Sequence, residues 1–361
     1  MLISIIDPIF STTVFIVIFA VALLASFGWK KDQDLFPLAL TQELKGLAIL
    51  AIVFSHVGYF LSTNQSFLFP LSILGGVGVN LFLFLSGFGL TRSALKEKIS
   101  VGKFYKKRLL KLFTPFWFVI VIIFLLDFFI LHLSYSPIYI VQSLLGFFPR
   151  ADLFLDVNSP LWFFTPILFY YLIFPLVFLQ KRPWLTAIII YIVSYFILQF
   201  KIPVSIDVLH LYQFHLLAFP LGIAFASLFL QPQKIKFFLF NSKSPLYYVF
   251  LVVLAILIGF FAYHSGVGEG VVKEQTISLL TMSLIIIFFI MKKVEIKLLY
   301  IFGLYSFEIY LIHWPLMSRL DLFFRWLPGW LAMVFYLGFF LLLAWGLRFI
   351  LNQGNRKKRS P

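Results

Sequence analysis

Eleven apolar stretches of about 17–24 residues recur along this 361-residue chain, each long enough to cross the hydrocarbon core of a bilayer. They are 9–27, 44–62, 71–90, 112–133, 160–180, 184–200, 208–230, 245–264, 275–291, 298–318 and 328–351. None alternates with period 2, so helices, not barrel strands, satisfy their backbone groups in lipid. Charge is correspondingly scarce. Asp, Glu, Lys and Arg make up 12% of the chain, against about 25% in soluble domains, and the mean hydropathy is +1.01. Soluble globular and disordered classes are thereby excluded. The chain has no cysteine, which excludes disulfides, thiolate-bound metals and thiol catalysis. The first stretch lacks the basic n-region and small-residue cleavage site of a signal peptide and reads as a true span. The expected fold is all-α, a polytopic transmembrane bundle of about eleven helices.

The net charge of +15 is explained by where it sits. Alternate loops receive 23 and 5 of the 29 basic residues, with Lys45 at a helix start on the rich side. The rich side holds Lys30, Lys31, eight residues from Arg92 to Lys111, Lys181, Arg182, Lys234, Lys236, Lys243, Lys292, Lys293, Lys297, Arg348, Arg356, Lys357, Lys358 and Arg359. The poor side holds Arg150, Lys201, Lys273, Arg319 and Arg325. The positive-inside rule then places the N-terminus outside and the C-terminus in the cytoplasm, with the chain in the cytoplasmic membrane. The charge is read as topology and contact with anionic lipids, not nucleic-acid binding. Two loops are long, 91–111 and 134–159. The second carries IYIVQSLLGFF (138–148), too short to span and suited to a re-entrant or interfacial helix. No repeat, no pair of broken helices and no second soluble domain is evident.

Titratable residues inside a membrane are costly and mark function by default. They are His56, Asp127, His132, His210, His215, Glu308 and His313. Lys45 lies at the mouth of the second span, and His56 follows eleven residues on, roughly 16 Å deeper and near the midplane. Eleven residues at 100° each return to within about 20° of the same face. Glu308 falls at a similar depth, so a His56–Glu308 pair is expected, with His313 nearer the outside. Asp127, His132 and His210 sit close enough to the outer interface to be solvated, and His215 has a neighbouring helix to bond. Imidazole takes and gives a proton near neutral pH, which makes His56 the leading acid–base candidate. The loop 91–111 packs Lys103, Lys106, Lys107, Arg108 and Lys111 ahead of the next span. Arg108 shares a helix face with Lys111 and with Phe104. Paired cations beside an aromatic ring suit a polyphosphate bearing an aromatic base, that is, a nucleotide or coenzyme A.

Four motifs, in order over about 44–351, make the chain resemble the integral-membrane acyltransferase-3 family. A basic residue, ten residues and a histidine appear as KGLAILAIVFSH, Lys45 to His56. FLFLSGF supplies Ser86, FYKKRLLKLFTP supplies Phe104, Arg108 and Lys111, and SFEIYLIHWP supplies Ser306, Tyr310 and His313. The chain departs from the pattern in three ways. Lysine replaces arginine at 45 and 111. Trp162 is present, but Ile167 and Leu168 stand where many members carry a glutamate. The first helix is additional to the family's usual ten. The resemblance divides the chain into an extra helix and loop (1–43), an acyltransferase-like membrane domain (44–351) and a basic tail (352–361). No appended extracytoplasmic domain is seen, so the domain would work alone or with a separate partner.

The resemblance implies transfer of an acyl group, most often acetyl, from cytoplasmic acyl-CoA to a hydroxyl of an extracytoplasmic or lipid-linked saccharide. Acyl-CoA would be a co-substrate with no resident cofactor or metal, held by Lys45, Arg108, Lys111 and Phe104. His56, with His313 and Glu308, would either deprotonate the acceptor or carry the acyl group. Ser86, Ser306, Tyr310 and Trp162 would support the site. A transporter or flippase for a lipid-linked saccharide is the competing expectation, and it predicts broken helices at the midplane.

Overall fold

The computed structural model describes residues 2–30, 34–229, 244–266 and 270–357. Lys31, Lys234, Lys236, Lys243, Lys358 and Arg359 of the charge pattern lie outside the described residues, as does residue 230 at the end of one expected span. The rest is almost wholly helical. In chain order it forms α1 (Pro8–Ala25), strand β1 (Phe27–Trp29), α2 (Leu38–Ser55, continued by a π-helical segment His56–Leu61), α3 (Gly75–Lys96), α4 (Val101–Phe129) and α5 (Pro137–Leu144). A 3₁₀ turn (Ser159–Phe163) then leads into α6 (Phe164–Val177), followed by α7 (Pro183–Ile197), α8 (Ile206–His215), α9 (Ala218–Leu228), α10 (Pro245–Tyr263) and α11 (Val271–Met291). Strand β2 (Val294–Ile296), α12 (Lys297–Leu304), α13 (Ser306–Pro315, continued by a π-helical segment Leu316–Leu320) and α14 (Gly329–Lys357) complete it.

Among the described residues, nine of these helical runs are long and apolar enough to cross a membrane. Three expected spans differ. The stretch 208–230 is interrupted at Leu216–Leu217, between α8 and α9. The stretch 184–200 yields α7 with 15 residues, about 23 Å, short of a full crossing. The stretch 298–318 is broken at Tyr305 into α12 and α13 and ends in a π-helical turn. Broken helices are therefore present where none was expected. The cause in α13 is Pro315, which has no N–H to donate to the carbonyl four residues back. The basic residues 103–111 were expected ahead of a helix, but they form the first turns of α4 itself. The piece 138–148 contributes the eight-residue α5.

Helix contacts rest on small residues that let backbones meet, as lipid-embedded packing requires. A Cβ at Gly303 of α12 would strike the Gln42 carbonyl of α2, and one at Gly46 of α2 would strike Leu299 O of α12. Gly87 of α3 and Gly222 of α9 play the same reciprocal part against Phe219 O and Phe84 O. This gives the Ser86-Gly87-Phe88 motif a packing reason, because Phe88 also joins the cluster of Phe36, Phe225 and Phe229. Strands β1 and β2 pair antiparallel, Gly28 opposite Glu295. They are fastened by a buried ion pair, Glu43 to Lys292 at 2.5 Å, and by Ile296 N–H donating to Glu43 at 2.8 Å. Gly303→Ala is predicted to destabilise the folded protein by about 1–3 kcal/mol through overpacking. Gly338→Ala, where the new methyl meets nothing within 4 Å, should be neutral or slightly stabilising. Thermal unfolding in detergent compares the two.

Candidate active site

Helix α2 carries Lys45 seven residues from its start, half-buried rather than at the mouth, and places His56 at its transition to π-helix, five residues from Leu61. His56 is thus shifted from the midplane toward the far end of the helix. Unwinding into a π-helix is a recurrent feature of functional sites, and here a second such segment begins three residues after His313. The two histidines meet. His56 Nδ1 lies 2.9 Å from His313 Nε2, with ring centroids 5.0 Å apart, and Trp314 packs edge-on against His56 at 5.1 Å. The expected His56–Glu308 pair is not formed.

Neighbouring backbone fixes the protons. His313 Nδ1 faces two carbonyl oxygens, Tyr310 O at 2.9 Å and Ile309 O at 3.1 Å, so it must carry the hydrogen and donate. His313 Nε2 is then a lone pair and accepts from His56 Nδ1–H. By elimination the lone pair of His56 sits on Nε2, which has no hydrogen-bond partner among the described residues. His313 is fully buried, while His56 is partly accessible. A neutral imidazole with a free Nε2 and an oriented Nδ1–H is the arrangement a general base requires.

A second group gathers at the basic end of the bundle. Lys45 lies within electrostatic reach of Lys111, Arg108 and Arg348. Arg108 sits 6.0 Å from the Phe104 ring centroid, as the shared helix face implied. Arg348 of α14 makes a two-pronged ion pair with Glu308, Nε to Oε1 at 2.8 Å and Nη2 to Oε2 at 2.7 Å, and Nη2 also donates to Leu304 O at 2.5 Å. Glu308 is therefore paired at this end, bracing the helix break, and not with His56 as expected. Among the described residues no cluster of three or more His, Cys, Asp or Glu could hold a metal ion.

The segment between α4 and α6 folds back into the bundle. Asn158 Nδ2 donates to Leu311 O at 2.9 Å, which is the carbonyl that Pro315 leaves free. Tyr310 O–H donates to Pro160 O at 2.8 Å. Arg319 bonds Asp127, Tyr135 and Asp156 O. Asp127 is accordingly buried and paired instead of solvated; His132 and His210 are exposed as expected. His215 bonds Asn80 at 2.8 Å and stacks on Trp162 at 5.7 Å. Ser86 donates to the Tyr171 hydroxyl at 3.2 Å, and Ser306 is buried at the start of α13. Of the motif residues, Tyr310 lies beside the histidine pair, its ring 6.4 Å from that of His313.

Residues 44–349 match the family described as the acyltransferase domain of the acyltransferase-3 type. The chain belongs to this family. No curated protein and no solved structure matches it. It is thus a multi-pass membrane acyltransferase, and helix α1 lies ahead of the matched residues. In this acyltransferase, sequence reasoning missed Arg348, Asn158 and the partners of Asp127. Arg348 was visible as a basic residue inside the last turn of the apolar stretch 328–351, and Pro315 signalled that Leu311 O needed a donor. Glu308→Ala is predicted to cost about 2 kcal/mol, low for a buried pair because the Arg348 side chain is 35% exposed. His56→Gln, whose amide N–H can still meet His313 Nε2, should melt close to wild type, and thermal scans compare the two variants.

Proposed function

We propose that this acyltransferase moves an acyl group, in the first instance acetyl, from cytoplasmic acyl-CoA to a hydroxyl of a cell-surface or lipid-linked saccharide. The observation that carries the reading is the free Nε2 of His56 on the same helix as Lys45. Eleven residues separate them, roughly 16 Å along one face. Lys45, Arg108 and Lys111, with Phe104, would hold the phosphates and base of acyl-CoA at the basic end. That end is the cytoplasmic one on the positive-inside count, with the N-terminus outside and the C-terminus inside.

The chemistry follows from the tautomers. His56 Nε2 takes the proton of the acceptor hydroxyl as its oxygen attacks the thioester carbonyl. The imidazolium that forms is stabilised because its Nδ1–H already points at the lone pair of His313. When the tetrahedral intermediate collapses, the C–S bond breaks and the proton passes from His56 Nε2 to the departing sulfur. The products are an ester and free coenzyme A. His313 acts through His56 and is a positioning residue.

His56→Gln should lower acyl transfer by 10²–10⁴, to about one per cent or less, with acyl-CoA still bound. His313→Gln offers an amide oxygen to His56 Nδ1–H and should retain more activity than His313→Leu. Steady-state rates with acetyl-CoA test both statements; wild-type activity in His56→Gln would remove the base. Arg108→Ala and Lys111→Ala should each raise the acyl-CoA KM about tenfold, while Lys111→Arg should be tolerated. Reporter fusions at Met1 and Pro361 should report opposite sides of the membrane, and the same side for both would contradict the orientation.

A further inference from the structure

Four buried side-chain polar atoms among the described residues have no hydrogen-bond partner, and three of them border residues 310–314 of α13. Asn158 Oδ1 belongs to the amide whose nitrogen is committed to Leu311 O. The Tyr212 hydroxyl lies beside Tyr310 and near Thr165, whose own hydroxyl donates to Gly146 O and accepts from Phe148 N–H. Trp314 Nε1 is on the ring that packs against His56. Buried polar atoms without partners are rare, and each calls for a reason. Three around one helical turn, next to the histidine pair, call for a common one.

His215 adds a fourth unfilled atom. Asn80 Nδ2 donates to Ser278 at 2.8 Å, so its Oδ1 accepts from His215 Nδ1–H and leaves a lone pair on His215 Nε2 with no partner among the described residues. Trp162, itself only partly buried, stacks on this imidazole with an interplanar angle of 18° and approaches Tyr212 at 6.2 Å. The set is an indole, two hydrogen-bond acceptors and one hydroxyl, with no charged side chain among them. Such a set selects a neutral ligand that is rich in hydroxyl donors and has a flat apolar face. A pyranose ring has both.

We infer that Trp162, Tyr212, His215 and Asn158 form the acceptor subsite and bind a neutral sugar ring there, with the hydroxyl to be acylated turned toward His56. The inference rests on the saccharide reading above. It makes Asn158 a link between the two ends of the reaction, since the same amide fills the carbonyl freed by Pro315 and presents an oxygen to the sugar.

The test uses the purified full chain in lipid nanodiscs, with acetyl-CoA as donor and a panel of methyl hexosides and N-acetylhexosaminides as acceptors. Tyr212→Phe should raise the acceptor KM about fivefold, the loss of one neutral hydrogen bond, and Trp162→Phe should raise it as well. The acyl-CoA KM should change by less than about twofold in both. Tyr212→Phe should melt no lower than wild type, because the deleted hydroxyl has no partner to lose; a lower melting temperature would make it structural and overturn its place in the subsite. If wild type acetylates a glycoside and both variants keep the wild-type acceptor KM, or raise only the acyl-CoA KM, the subsite is wrong and the saccharide reading survives. If wild type acetylates an amine or a lipid alcohol but no glycoside, the saccharide reading falls and the subsite with it.

Discussion

Lipid offers no hydrogen bonds, so each backbone group freed by a helix break has to be satisfied from within the protein. The regions around the proposed site follow from that constraint. The break at Tyr305 leaves Leu304 O open, and Arg348 fills it while its remaining nitrogens hold Glu308. Pro315 frees Leu311 O, and Asn158 reaches in from the segment ahead of α6 to occupy it. Where α11 gives way to β2, Glu43 takes the Ile296 N–H and neutralises Lys292. The charged residues that a hydropathy reading treats as anomalies are thus the partners of broken backbone.

The same constraint shapes the chemistry. His313 is sealed inside the protein, so the carbonyls of Ile309 and Tyr310 define its tautomer and, through it, that of His56. The order is directional: carbonyl to His313, His313 to His56, and His56 Nε2 to whatever enters. The cations lie about three helical turns away along α2. Charge proposed to hold a polyphosphate is therefore kept apart from the imidazole, whose proton affinity a nearby cation would reduce.

Local pattern made part of this legible. Lys45 and His56 could be placed on one face because eleven residues close almost three full turns, and Phe104 with Arg108 because four residues close about one; the second expectation is met at 6.0 Å. The partner of His56 was not legible, because His313 is 257 residues away and matching depth favoured Glu308 instead. Arg348 was read as a topology charge because a single sequence does not distinguish a cation facing headgroups from one turned toward a carboxylate. The break at Tyr305 was hidden for a related reason. No proline marks it, and what holds it open is a side chain from another helix.

The tautomers of His56 and His313 are the centre of the account, and nitrogen NMR reads them directly. The chain has six histidines, so spectra of ¹⁵N-histidine-labelled wild type, His56→Gln and His313→Gln assign both rings by difference. Each neutral ring should carry its hydrogen on Nδ1, with a coupling between His56 Nδ1 and His313 Nε2 across their hydrogen bond. A hydrogen on Nε2 of His56 would contradict it, since the atom meant to accept the acceptor's proton would already be occupied.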